Sequence, residues 1–211
     1  MPPDDRTGLD WIHRCTAQHE AAHVVACAVL GLDGVEHVAV LDFNSPEAEE
    51  RGLNGYVRRR RMKPEAMAGL VAATRGASTS MALLEVMCYA EVLFDLAGIA
   101  AECKTGRLDP DDVVEVEDGL NDEGSDIANA SAVAGALGVG WEQALADAHD
   151  LLDSPGVWAA VEAVASRLLP PPNRLEFEDI LAIPEVGRVF GNVGAQRVAA
   201  MLDARRGERA G

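Results

Sequence analysis

Gln18-His19-Glu20-Ala21-Ala22-His23-Val24-Val25-Ala26 is the stretch around which the whole chain reads. On a helix, four residues bring His23 back to within ~40° of His19, one turn further on, with Cβ atoms about 5–6 Å apart. Two imidazoles so placed can meet one ion at zinc–nitrogen distances of ~2.0–2.1 Å. Glu20 points to the side of the pair. From there its carboxylate can take a proton from a water at the metal without itself being a ligand. This is the logic of the H-E-x-x-H motif of zinc peptidases. With five histidines in 211 residues, a chance match has a probability of roughly one per cent before a helix is required around it. That helical context is present.

Trp11 to Leu30 contains neither Pro nor Gly and is rich in Ala, Val, Leu, Gln and Glu, which favours a helix. After His23 the run Val24-Val25-Ala26-Cys27-Ala28-Val29-Leu30 is apolar on every side, as expected of a helix buried through the core. Gly31 stands where a C-cap belongs.

Composition limits what such a site serves. Apolar residues make up 48% of the chain but aromatics only 4%, so the core is filled with Ala, Val and Leu. A net charge of −17 argues against nucleic acid and anionic membrane surfaces as partners. Cys15, Cys27, Cys88 and Cys103 form no C-x-x-C pair and read as buried thiols of a reducing compartment. The start, Met-Pro-Pro-Asp-Asp-Arg, has no basic segment followed by an apolar one. The longest apolar run, Val24 to Leu32, is about half the ~20 residues of a spanning helix. The expected location is therefore cytoplasmic.

Residues 1–6 read as a loose tail, with Asp4 or Thr7 able to cap the first helix. Val35 to Asp42 alternates and is β-branched, so it reads as a strand, and Leu53 to Arg58 as a second strand antiparallel to it across a polar loop. The only basic cluster, Arg58-Arg59-Arg60-Arg61-Met62-Lys63, reads as a solvated strand end or a protected sheet edge. Residues 65–76 form a short helix and 76–80 a flexible turn. From Met81 to Cys103 the pattern is strongly helical, with acids interspersed; Gly98 within it signals close packing or a break. Gly98-x-x-x-x-Cys103-Lys104-Thr105 misses a phosphate loop because Cys103 replaces the second Gly and a helix precedes it.

Asp109 to Asp126 is acidic and broken by Pro and Gly, hence a surface loop, and Asp126 opens the next helix. Trp141 to Leu152 and Val157 to Leu169 are two further helices, with Pro155 in the first turn of the second. Pro170-Pro171-Pro172 is a stop. Leu175 to Leu181 is a short helix or an extended segment, and Gln196 to Arg206 a polar C-terminal helix. The division expected is a metallopeptidase-like domain over 1–182 and a partly helical extension over 183–211.

A catalytic zinc site needs a third protein ligand and an open position. His13 falls on the wrong side of its helix, and His37 and His149 read as surface or satisfied core histidines. Among many carboxylates, Glu102 and Asp126 stand out because each lies on or at the end of an apolar helix.

In this arrangement the chain resembles the zinc peptidase domain of the FtsH-type membrane AAA proteases, over roughly residues 10–182. Residues 18–26 are similar to that family's H-E-A-G-H-A helix, with Ala22 for Gly. Leu96-Ala97-Gly98-Ile99-Ala100-Ala101-Glu102 resembles its L-G-G-R-x-A-E-E segment, with Ile99 for Arg and Cys103 for the second Glu. Gly124-Ser125-Asp126-Ile127-Ala128-Asn129-Ala130 resembles its G-A-x-N-D-I/L-x-x-A-T segment. The resemblance implies Asp126 as third zinc ligand, Glu102 as a support behind the imidazoles, and a sheet edge to which a peptide adds as a strand.

The fold expected is α+β, mainly helical and zincin-like, with a small antiparallel sheet beside the metal site. The activity expected is a zinc metalloendopeptidase, with His19, His23 and Asp126 on Zn²⁺ and Glu20 as general base. Without a Walker motif in the sequence, its substrates are expected to be peptides or already unfolded segments, with a separate ATPase or adaptor as a partner to look for and the oligomeric state open. Two other readings stand beside it: a catalytically silent zincin-like regulatory or interaction module, and a metal-free helical scaffold.

Overall fold

The computed structural model describes residues 8–42, 45–51, 54–74, 80–109 and 125–209. The tail over 1–6, the turn over 76–79 and the acidic loop between Asp109 and Ser125 lie outside these residues, as do Asp4 and Thr7 as caps. The described chain is mainly helical with one small sheet. In order it runs α1 (Leu9–Leu30), β1 (Val35–Val40), α2 (Pro46–Arg51), β2 (Gly55–Arg59), α3 (Pro64–Thr74), α4 (Ser80–Thr105) and α5 (Asp126–Leu137). It continues through α6 (Trp141–Leu152), α7 (Val157–Leu168), β3 (Arg174–Glu176), α8 (Phe177–Leu181), α9 (Pro184–Val189) and α10 (Ala195–Arg209). Among the described residues no helix is long and apolar enough to cross a membrane.

Two long helices carry the fold. α1 packs along α4 and α7, while α4 also meets α5, α6 and α10. Every residue from Glu20 to Val29 is buried, which is why this half of α1 has no polar face: neighbours cover it on all sides. The helix begins at Gly8 without a side-chain cap and ends at Gly31, whose φ of 70° is the left-handed conformation that glycine adopts freely. Its last carbonyls are then satisfied from two directions. Leu32 donates to Cys27 O at 2.9 Å, and the backbone of Gly191 and Val193, after α9, donates to Ala28 O at 2.9 Å and Val29 O at 3.1 Å.

The sheet has the order β2-β1-β3, antiparallel throughout, with Val38 opposite both Val57 and Leu175. β1 lies in the middle, so β2 is an edge strand. The third strand is short, and the 175–181 segment divides its character: Arg174–Glu176 pairs with β1 and Phe177–Leu181 turns into a helix.

Several expectations are corrected. Pro155 lies outside α7, whose N-cap is Gly156. The polar loop after β1 contains the six-residue α2. The basic cluster is only half solvated: Arg58 and Arg60 pair with the exposed-side Glu36, but the side chains of Arg59 and Arg61 are 5% and 20% exposed and turn onto α4. The strand's period of two sends alternate arginines to opposite faces. Beyond residue 182, Ile183, Val186, Val189, Val193, Val198 and Leu202 all enter the same buried core as α1 and α4. On α10, Arg205 is bonded to the buried Asp147 of α6, which also receives the hydroxyl of Tyr89 from α4.

Candidate metal centre

α1 delivers His19 and His23 on successive turns, as an i, i+4 pair must be. Ser125 caps α5 by accepting from the Ala128 N–H at 3.2 Å, and that cap places Asp126 in the helix's first turn, where a carboxylate faces the positive end of the helix. Across the 107 residues between His19 and Asp126, the fold brings three atoms to one point. His19 Nε2 and His23 Nε2 lie 3.1 Å apart, and Asp126 Oδ2 is 3.2 Å from each. Four ligands at ~2.0–2.1 Å around a tetrahedral zinc stand about 3.3 Å from one another. The triangle has that size.

The outer nitrogens determine what faces inward. His23 Nδ1–H donates to the Phe94 carbonyl at 2.7 Å, leaving Nε2 as a bare lone pair. Glu102 Oε1 lies 3.0 Å from His19 Nδ1, within ion-pair distance but off the axis of a straight hydrogen bond, and is itself held by Arg107 at 3.1 Å. Where His19 likewise carries its proton on Nδ1, towards Glu102, two nitrogen lone pairs and a carboxylate oxygen converge on one another. Such a cluster calls for a cation or for extra protons. In the absence of an ion, burial opposes the imidazolium, but Asp126 and Glu102 outweigh it and raise His19 well above its usual pKa. Burial likewise opposes His23 and Asp126 outweighs it. Burial also opposes the Asp126 carboxylate, yet His23 and His19 hold it well below the usual range. The donor set, its tautomers and its spacing fit Zn²⁺.

α4 is shaped to receive these rings. A Cβ on Gly98 would fall 2.4 Å from His23 Nε2 and 2.5 Å from His19 Nε2, so only glycine lets the α4 backbone pass under the imidazoles. Gly55 does the same for Glu20: a Cβ there would stand 2.8 Å from both Cγ and Oε1. β2 therefore runs directly alongside Glu20. The Glu20 carboxylate is buried, has no hydrogen-bond or ion-pair partner among the described residues, and faces a cavity of about 290 Å³ shared with His19, His23 and Asp126. Burial pushes its pKa up to about 7, against the lowering pull of His19 and His23.

The cavity is also lined by Phe94, Arg59, Arg61, Asp95 and Asn129. Arg59 grips Glu91 with both terminal nitrogens, at 2.5 and 2.8 Å, and donates to Asp33 O at 2.7 Å. Its guanidinium stands 4.8 Å from the centre of the Phe94 ring, which also has Arg61 at 5.5 Å and the His23 ring at 5.1 Å. Arg61 is paired with Asp95, a fully buried carboxylate that burial raises to about 7 despite the arginine.

Among the described residues, His19, His23 and Asp126 form the one group with the geometry of a metal site. His37 is buried in the sheet against Tyr56, and His149 lies on α6; neither joins it. Phe94, Asp95, Arg59, Arg61, Gly55 and Asn129 were not singled out from the sequence. A signal for the α4 members exists: Glu91, Asp95, Gly98 and Glu102 are spaced 4, 3 and 4, one helix face of acids and a glycine on an otherwise apolar helix. All four cysteines are free, and burial pushes Cys27 up to about 12 and Cys88 and Cys103 to about 11; among the described residues none belongs to the metal-site group. The chain matches no family model, no curated protein and no solved structure.

Proposed function

We propose that this chain is a zinc-dependent metalloendopeptidase of the H-E-x-x-H type, as its resemblance to the FtsH-type peptidase domain implies. The observation that carries the reading is the convergence of three ligand atoms, from His19, His23 and Asp126, beside a Glu20 carboxylate that has no partner among the described residues, in one cavity. His19, His23 and Asp126 would hold the ion. When bound, Zn²⁺ supplies Lewis acidity to the oxygens around it. Phe94 O and Glu102 keep the imidazole tautomers in which Nε2 faces inward. Glu20 takes the proton of the attacking water, its buried carboxylate facing the same cavity as the metal-binding group. It then gives that proton to the departing amine.

The edge strand β2 supports the choice of a peptide as substrate. Gly55, Tyr56, Val57 and Arg59 line the cavity, and among the described residues only β1 pairs with the strand, on one side. An extended peptide bonded to the other side passes Glu20 at Gly55, with its backbone held by hydrogen bonds that do not depend on sequence. Folded substrates would first have to be unfolded elsewhere.

The test is Glu20→Gln. The variant is expected to hold as much zinc as the parent chain, by elemental analysis, while cleavage of a disordered protein falls by about 10²–10⁴-fold. His23→Ala should lose the metal as well. Stoichiometric zinc with no cleavage of any peptide by the parent chain would sink the peptidase reading and leave the silent metal-binding module. No zinc at all would leave the helical scaffold.

A further inference from the structure

The stretch from Gly55 to Met62 borders three recesses in succession. The cavity of the metal-binding group is lined by Gly55, Tyr56, Val57, Arg59 and Arg61 of this stretch. A shallower recess is lined by Tyr56, Val57, Arg58 and Arg59 alone, as expected along a strand with an open flank. A third, of about 240 Å³, begins at Arg59, Arg60 and Arg61 and lies between the segment after β2, α3 and α4. Met62, Met67, Leu84 and Met87 give it an apolar lining. Among the described residues Met62 and Met87 remain 50% and 54% exposed, and large apolar side chains left bare around one pocket mark a place where something binds. The arginines at the rim are already held: Arg59 by Glu91, Arg60 by Glu36 and Arg61 by Asp95. What the pocket leaves unsatisfied is apolar surface.

We propose that this third recess is the anchoring pocket of a peptide track that starts at Glu20, and that it takes one large aliphatic side chain of the substrate, Leu, Ile or Met. The pocket rests on the peptidase reading above and names the substrate feature it would read. A peptide added to the open edge of β2 is carried by backbone hydrogen bonds past Gly55, where Glu20 lies, and leaves the strand at Arg59, at the mouth of the pocket. At ~3.3 Å per extended residue, the side chain that enters stands about four to seven residues from the one opposite Gly55. Because the pocket lies beyond one end of the strand, the anchor falls on a single flank of the scissile bond. Met62, Met67 and Met87 are unbranched and repack around guests of different shape, so the pocket selects size and apolarity rather than one residue type. A charged guest would lose its water against Met67 and Leu84 while every rim arginine is already paired.

The test uses the full chain carrying Glu20→Gln, so that peptides bind without being cut. Fluorescent disordered peptides of small polar residues carry one guest position, and binding is read by anisotropy. The Leu peptide is expected to bind about tenfold more tightly than the Ala peptide, and the Asp and Lys peptides no more tightly than Ala. Adding Met62→Asp or Met87→Asp, both at half-exposed positions, should erase the Leu preference with the melting temperature and zinc content unchanged. Leu83→Asp, exposed on α4 but outside the pocket, should leave the preference intact. Equal binding of the Leu and Ala peptides overturns the pocket, and so does a Leu preference that survives in both folded Asp variants. If Met87→Asp instead splits a dimer in sedimentation and leaves peptide binding unchanged, the occupant is a second copy of the chain and the proposal falls. Cleavage by the chain with Glu20 intact is scored separately: cuts about four to seven residues from the Leu, on one flank, support the track, and cuts at positions unrelated to the Leu overturn it. A Leu preference without cleavage sinks the hydrolase and keeps the pocket, while cleavage without the preference does the reverse.

Discussion

Replacing Gly98 by alanine tests the metal centre from beneath. The added Cβ would stand 2.4 Å from His23 Nε2 and 2.5 Å from His19 Nε2, where ordinary contacts are 3.4–4 Å, so each ring must retreat by about 1 Å. A metal site tolerates departures of only about 0.2 Å in its ligand distances. The rings are the far ends of side chains and can swing aside while α4 stays in place. Overpacking of about 1–3 kcal/mol is then partly offset by the ~0.5–1 kcal/mol that alanine gains over glycine inside a helix. The fold should survive with a loss below about 2.5 kcal/mol. Zinc affinity should not survive: removing an outer support already costs 10–100-fold, and displacing both imidazoles should exceed 100-fold, or about 2.7 kcal/mol. Competition against a chromophoric chelator gives the affinity, and thermal melting of the metal-free chain gives the stability. A Gly98→Ala protein that binds zinc within a few-fold of the parent would refute the placement of these rings over α4.

Three further outcomes are expected. Glu102→Gln, which keeps the shape but removes the charge behind His19, should weaken zinc binding by about 10–100-fold in the same chelator assay; an unchanged constant would show that Glu102 does not support the imidazole. Because Asp126 and Glu102 raise His19, and Asp126 raises His23, the metal-free site holds protons to higher pH than free imidazoles do, and these must leave when zinc enters. Apparent affinity should therefore climb with pH by about one decade per unit for each proton displaced, and a titration flat between pH 6 and pH 8 would contradict this. Arg205→Met leaves Asp147, 5% exposed, with only the Tyr89 hydroxyl. Denaturant unfolding should show a loss of about 3 kcal/mol with zinc affinity unaltered; loss of the metal too would mean that α10 acts on the site.

The long helices were legible in the sequence because their signals are local. Trp11 to Leu30 lacks breakers and ends in Gly31, and α4 keeps its apolar period over more than six turns. The two histidines and Glu20 were legible for the same reason: their spacing alone puts them on one helix turn. Asp126 came from resemblance, since no local pattern separates one acid from the others of an acid-rich stretch. What stayed hidden was set by pairing across distance. Arg59 and Arg61 look like the solvated cations beside them until α4 supplies Glu91 and Asp95. β3, only three residues long, has no period to show and exists because β1 offers it an edge. Gly55 matters through what it touches, Glu20, thirty-five residues earlier in the chain.

The backbone bonds from Gly191 and Val193 to the end of α1 bear on how the chain can be cut. A fragment trimmed at residue 182, the boundary that the sequence alone suggests, would strip a splint from the very helix that carries both imidazoles and lay bare the flank covered by Val186, Val189 and Val193. Expression of such a fragment is a poor route to a minimal folded unit. Residues 183–209 are better regarded as the outer brace of the histidine helix than as an appendage.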